Sequence, residues 1–209
     1  MALPFAAYGG LAVDVDDTLS DTLGYTISCI QKQFGNPENL STEQIAKKYQ
    51  YLSNVPYWRT PEIKNWLIEQ SQSNEFQESM PVLKDADLKL RQIHKIVPIV
   101  LYITSRAHAV ASGTTRWLRH HGFPEAKLMT GNNPPNGYLW KAEIIEKEFP
   151  RITGWIDDLP GMAEYLTPKY KGVLFLYNNQ TAPRNDIKVI PCPTWDDVIA
   201  NLPELNSLN

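Results

Sequence analysis

Four aspartates, a threonine and a lysine carry the chemistry legible in this chain. Asp14 and Asp16 stand two residues apart in Asp14-Val15-Asp16-Asp17-Thr18, directly after the apolar run Gly10-Leu11-Ala12-Val13. Thr104-Ser105-Arg106 follows Ile99-Val100-Leu101-Tyr102-Ile103, and Asp157-Asp158 follows Gly154-Trp155-Ile156. Carboxylates crowded together cannot all ionise unless a cation sits among them. Oxygen-only ligands with room for water and a phosphate oxygen suit Mg²⁺ rather than zinc. One carboxylate can then attack as a nucleophile, forming an acyl phosphate that water later cleaves. A second can protonate the leaving oxygen and afterwards activate that water. Positioning and charge neutralisation do most of the rest in phosphoryl transfer. Thr104 suits a bond to a phosphoryl oxygen. Lys141 suits the offsetting of carboxylate charge from the helix before Asp157. Ser105 offers a hydroxyl or its backbone N–H. Arg106 either binds substrate or pairs with a carboxylate.

These groups converge only if the apolar runs are neighbouring strands. Buried parallel strands read as short continuous apolar stretches, and open α/β sheets place their sites at the carboxyl ends of such strands. The pattern predicts strands at residues 10–13, 96–103, 127–129, 152–156, 173–177 and 189–190. Helices are predicted at 84–95, 106–121, 139–149 and 161–166, with a last one capped by Thr194 and Asp197 and running through Leu202. That alternation implies an α/β fold: a doubly wound parallel sheet covered on both faces. Residues 203–209 read as a loose tail.

The stretch 20–83 differs in kind. Thr22 to Phe34 is amphipathic and stops at Gly35. Ser41 with Gln44 reads as a capping box opening a helix with Ile45, Tyr49 and Leu52 on one face. Thr60-Pro61 caps another, with Ile63, Trp66 and Leu67 as its stripe. The expected organisation is a core of residues 1–19 and 84–209 with an all-helical insert at 20–83. Tyr49, Tyr51, Tyr57, Trp58 and Trp66 are expected to fill the core of that insert, with Trp58-Arg59 a candidate to face the crevice. Asp17 is expected to be a loop residue facing water. His120-His121 suits a helix end, where histidine complements the dipole.

The chain has 209 residues, 43% of them hydrophobic, and a net charge of -3, with no run of Lys or Arg to mark a polyanion-binding surface. Cys29 and Cys192 are too far apart in sequence to form a metal cluster and read as ordinary thiols of a reducing compartment. Met1 to Tyr8 has no basic segment and reads as a lead-in to the first strand, not as a signal peptide. No stretch is long enough to span a bilayer. The expected location is the cytoplasm. Oligomeric state is not written in the sequence.

Taken in order, Asp14-Val15-Asp16-Asp17-Thr18, Thr104, Lys141 and Asp157-Asp158 resemble the four motifs of the haloacid dehalogenase-like (HAD) hydrolase superfamily. The resemblance covers the whole core, and the insert sits where many members carry a helical cap. It implies a Rossmann-type core with Asp14 as nucleophile and Asp16 as general acid/base. It implies Thr18 bracing the motif loop at the substrate side, Thr104 holding the phosphoryl group and Lys141 steadying nucleophile and phosphate. It assigns Mg²⁺ to Asp14, the backbone carbonyl of Asp16 and Asp157, with Asp158 binding through water or supporting the ligands from behind. An acid at position 16 points to phosphatases over dehalogenases. Asp17 replaces the commoner glycine, and Ala142 stands where proline often follows the lysine. The implied activity is Mg²⁺-dependent hydrolysis of a phosphomonoester, a small metabolite or nucleotide, through an aspartyl-phosphate. Two alternatives remain. Thr104-Ser105-Arg106 with Thr115-Arg116-Trp117-Leu118 is similar to polynucleotide 3′-phosphatases. The fold also serves non-catalytic phosphate- or nucleotide-binding regulatory proteins.

Overall fold

The structure, a computed structural model, describes residues 9–208; the expected lead-in at Met1 to Tyr8 lies outside them. Six parallel strands form one sheet in the order β3-β2-β1-β4-β5-β6. They are β1 (Gly10–Asp14), β2 (Ile99–Thr104), β3 (Lys127–Thr130), β4 (Ile152–Asp157), β5 (Val173–Tyr177) and β6 (Lys188–Cys192). β1, β2 and β4 are buried almost throughout. That is why they read as unbroken apolar runs rather than as alternating patterns.

Alternate residues of each strand serve opposite faces. Leu11 and Val13 of β1 join a cluster with α5 (Ala86–His94), α6 (Ala111–His120) and α9 (Trp195–Asn201). Ala12 faces the other way, onto α7 (Gly137–Glu148) and α8 (Gly161–Tyr165). β1 is therefore followed, through α5, by a helix on one face, and its neighbour β4 by a helix on the other. Where adjacent strands diverge in this way, a crevice opens at their carboxyl ends. Val13 pairs with Ile156 and Asp14 with Ile103, so Asp14, Thr104 and Asp157 leave their strands side by side.

Between β1 and α5 lie α1 (Thr22–Phe34), α2 (Thr42–Tyr49), α3 (Pro61–Ser71) and α4 (Asn74–Glu78). Asp21 caps α1, and Gly35 ends it with φ at 87°, a value that favours glycine. The Ser41–Gln44 capping box and the Thr60 cap with Pro61 both form. Leu52 falls in a separate 3₁₀ turn (Leu52–Asn54) beyond α2. The insert has its own core of Ile27, Ile30, Ile45, Val55, Trp58 and Ile63. The chain enters and leaves it through a paired neck: Leu83 N–H donates to Leu19 O at 2.8 Å, and Asp21 N–H to Pro81 O at 2.9 Å. α4 also presses on α6. Asn74 Oδ1 accepts the Gly113 N–H at 2.6 Å, and a Cβ on Gly113 would lie 2.9 Å from the Asn74 carbonyl oxygen. Only glycine permits that approach.

Three expectations change. β2 begins at Ile99, not at residue 96, because Ile96 and Val97 close the turn after α5 by bonding back to Ile93. α6 begins at Ala111, not Arg106, after a 3₁₀ turn at His108–Val110. The tail is ordered into a 3₁₀ helix at Leu202–Leu208, held by the burial of Leu205 in the core.

Candidate active site

Asp14 ends β1 and Asp157 ends β4, each at most 1% exposed. Lys141 comes from the second turn of α7, a helix whose start is fixed by the Asn136 side chain accepting the Leu139 N–H. Its ammonium lies 2.6 Å from Asp14 Oδ1 and 3.0 Å from Asp157 Oδ2. The contact with Asp14 is an ion pair outside the angular range of a regular hydrogen bond. The other Asp157 oxygen accepts the Leu159 N–H at 3.0 Å. One carboxylate oxygen each of Asp14, Asp157 and Asp158 lies within 4.8 Å of the others.

The charges of this cluster do not balance. Burial raises the Asp14 carboxyl well above the usual range. Lys141 works against that rise, while Asp157 and Asp158 add to it. Burial with Asp157 and Asp17 pushes Asp158 up to about 8. Burial alone would lower the Lys141 ammonium, but Asp14 and Asp157 hold it above its ordinary value. Three carboxylates facing one ammonium in a water-poor crevice leave an unmet need for positive charge. A hard divalent cation with oxygen ligands fits that donor set.

Asp16 lies apart from this cluster. Its Oδ1 accepts from Arg106 Nε at 2.9 Å, Arg106 Nη2 at 2.8 Å and the Thr22 hydroxyl at 2.8 Å. Its Oδ2 accepts from the Thr104 hydroxyl at 2.6 Å. Burial opposes ionisation of Asp16, yet Arg106 and the hydroxyls hold its carboxyl below the usual range. Of the two expectations for Arg106, the structure takes the carboxylate pair. Arg106 is 7% exposed and turned inward onto Asp16.

The remaining expected residues are placed as follows. Thr18 is wholly buried, and its hydroxyl donates to Asp158 Oδ1 at 3.0 Å, so it braces a carboxylate. Ser105 is half-buried; its hydroxyl sits where a Cβ on Gly137 would come within 2.5 Å. Asp17 is a loop residue, half-buried rather than fully turned to water. In a left-handed turn (φ 56°), it accepts the Leu23 N–H at 2.8 Å near the start of α1, and burial pushes it up to about 6. Trp58 and Arg59 do not face the crevice. Trp58 Nε1 donates to Gly35 O, and Arg59 Nε to Ser53 O, both inside the insert. Of the five clustered aromatics, Tyr49, Tyr57, Trp58 and Trp66 join the insert core, whereas Tyr51 is 57% exposed.

Sequence reasoning missed Asn179, whose amide donates to Asp158 O at 2.7 Å and Tyr177 O at 2.8 Å, tying the Asp157-Asp158 loop to β5. It also missed Tyr138 on α7, beside Gly161 and near Asp157 and Asp158. The turn residues around Asn178-Asn179 were the only available signal.

The sequence model of the family described as 5′ nucleotidase, deoxy (pyrimidine), cytosolic type C protein matches residues 10–132, from β1 through the insert to the end of β3. The chain belongs to this nucleotidase family. It is accordingly a phosphoric monoester hydrolase of the HAD type. No curated protein matches the chain. Among solved structures, a HAD family hydrolase from Deinococcus radiodurans R1, with bound phosphate and sodium, shares the fold. It has TM-score 0.58 at 16% identity and covers 96% of this chain and 97% of its own. A HAD-superfamily hydrolase of subfamily IA, variant 1, from Geobacter sulfurreducens PCA has TM-score 0.52 at 14% identity over 94% and 100%. Among the described residues of this nucleotidase-family chain, no helix is long and apolar enough to cross a membrane.

Proposed function

We propose that this chain is a Mg²⁺-dependent cytoplasmic phosphatase that hydrolyses a small phosphorylated metabolite or nucleotide through an aspartyl-phosphate on Asp14. The observation that carries the reading is the convergence of Asp14, Asp157 and Asp158 on one point beside Lys141. Held by those three carboxylates and the Asp16 backbone carbonyl, Mg²⁺ would neutralise the phosphoryl oxygens. Nucleoside 5′-monophosphates are the first substrates to try, a choice supported by the description of the matching family.

In this scheme Asp14 attacks phosphorus, and the bond to the leaving oxygen breaks. Asp16, which accepts from Arg106, Thr22 and Thr104 before substrate arrives, would first take a proton from solvent, pass it to that oxygen and later take one from the hydrolytic water. Lys141 favours the ionised form of Asp14 and keeps it in place, a bound Mg²⁺ would complete that ionisation, and Thr104 turns its hydroxyl to a phosphoryl oxygen. Residues 20–83 act as a cap over a core of residues 1–19 and 84–209. Asp14 and Lys141 are 1% and 4% exposed, so substrate enters only when cap and core part, and closure excludes bulk water from the first step.

Phosphate release from a panel of nucleoside monophosphates, sugar phosphates and a 3′-phosphorylated oligonucleotide tests the reading. The expected result is turnover of at least one small ester by the wild type and none by Asp14→Asn. Normal rates in Asp14→Asn would remove the nucleophile from the scheme, and turnover of the oligonucleotide alone would move the substrate to polynucleotides.

A further inference from the structure

We propose that Arg106 is a positioning residue that aims the Asp16 carboxylate, gripping one oxygen and leaving the other for the leaving group. The inference rests on the reading of Asp16 as acid/base. The two oxygens of Asp16 are not equivalent. Among the described residues, Oδ1 takes both Arg106 bonds and the Thr22 bond, whereas Oδ2 takes only the Thr104 hydroxyl. The Asp16 side chain keeps 27% exposure, against 6% for that of Arg106, so the pair faces the crevice through the carboxylate.

Arg106 is itself anchored from several elements. Nη1 donates to Thr114 Oγ1 on α6, and Nη2 lies 3.1 Å from Ser20 Oγ and 3.3 Å from Met80 Sδ. Ser20 and Met80 flank the paired neck of the insert. A planar guanidinium held at several points pins Oδ1 with two donors at once, as a lysine could not.

The Thr104 hydroxyl has one hydrogen, now given to Asp16 Oδ2. When a phosphoryl oxygen takes that hydrogen, Oδ2 loses its donor while Oδ1 keeps all of its own. Substrate thereby frees the oxygen that can take a proton from solvent and pass it to the leaving group, and Arg106 keeps it pointed there. No bond other than the Thr104 hydrogen bond is exchanged in this step.

Leaving groups separate this role from a structural one. Departure of p-nitrophenolate needs no proton, whereas departure of an alkoxide does. The ratio kcat/KM reports the steps through leaving-group departure. For Arg106→Met, kcat/KM on a nucleoside 5′-monophosphate should fall by about 10- to 100-fold, the scale of a misplaced catalytic group, and on p-nitrophenyl phosphate by less than about threefold. KM for the nucleotide should hold. Thr22→Val, which removes the third donor to Oδ1, should show the same selective loss to a smaller degree, and it serves if Arg106→Met does not fold. Asp16→Asn provides the reference signature. Equal losses on both substrates, or a raised KM with unchanged kcat, would overturn the proposal. If Asp16→Asn itself lacks the leaving-group signature, the acid/base reading fails. If it shows that signature and both Arg106→Met and Thr22→Val do not, only the positioning role fails.

Discussion

The Lys141 ammonium lies 2.6 Å from Asp14 Oδ1, and both side chains are sealed from solvent. Removing one member of a buried ion pair strands the other. Lys141→Met should therefore destabilise the metal-free protein by about 3 kcal/mol, the usual cost of an uncompensated buried charge. Urea unfolding in EDTA reads this directly. A loss under about 1 kcal/mol would mean that the carboxylates already sit in water.

Asp158 at about 8 and Asp17 at about 6 both lie above the ordinary carboxylate value near 3.9. In the folded state these groups keep protons that the unfolded chain releases above that value. Stability of the metal-free protein is full at about pH 4 and falls as pH rises towards about 8. Asp16, shifted the other way, adds stability lost only as pH falls below the ordinary value. Thermal melts in EDTA across this range should show Tm dropping with pH. Added Mg²⁺ should raise Tm, and more so at pH 8 than at pH 5, because its ligands bind ionised. A Tm that climbs with pH in EDTA would contradict the buried acidic cluster.

Much of this site is visible in the sequence because it lies at strand ends. Unbroken apolar runs ending at Asp14, Thr104 and Asp157 mark strand tips, and caps such as Ser41 and Thr60 announce their helices locally. Arg106 is different. Its partner Asp16 lies 90 residues away, and nothing near Arg106 signals that the chain will stay non-helical to reach it. α4 was equally silent: five residues with one aromatic have no period, and the helix is secured by Asn74 bonding to α6. Leu205 looked like part of a tail because burial against a distant sheet leaves no local mark.

Asn179 bonds the carbonyls of both Asp158 and Tyr177. Asn179→Ala should release the loop that carries two carboxylates. The expected result is a several-fold higher Mg²⁺ concentration for half-maximal activity, with kcat at saturating Mg²⁺ within about threefold of wild type, as for other residues that orient metal ligands. An unchanged Mg²⁺ requirement would show that β5 does not help to place Asp158.

Gly113→Ala should cost about 1–3 kcal/mol in urea unfolding, since the new Cβ meets the Asn74 carbonyl oxygen at 2.9 Å and α4 must retreat from α6. If the variant matches the wild type, the insert is not docked through this contact.

The neck pairing of Leu19 and Asp21 with Leu83 and Pro81 has one more consequence. Seen from the sheet, all that lies beyond those bonds amounts to the tip of a hairpin. A short turn joining Ser20 to Val82 would close without displacing β1 or β2. Provided Thr22 and Met80 beside Asp16 and Arg106 and the α4 contact with α6 are kept, the excursion can thus be lengthened or shortened, much as a blade is changed on a fixed handle.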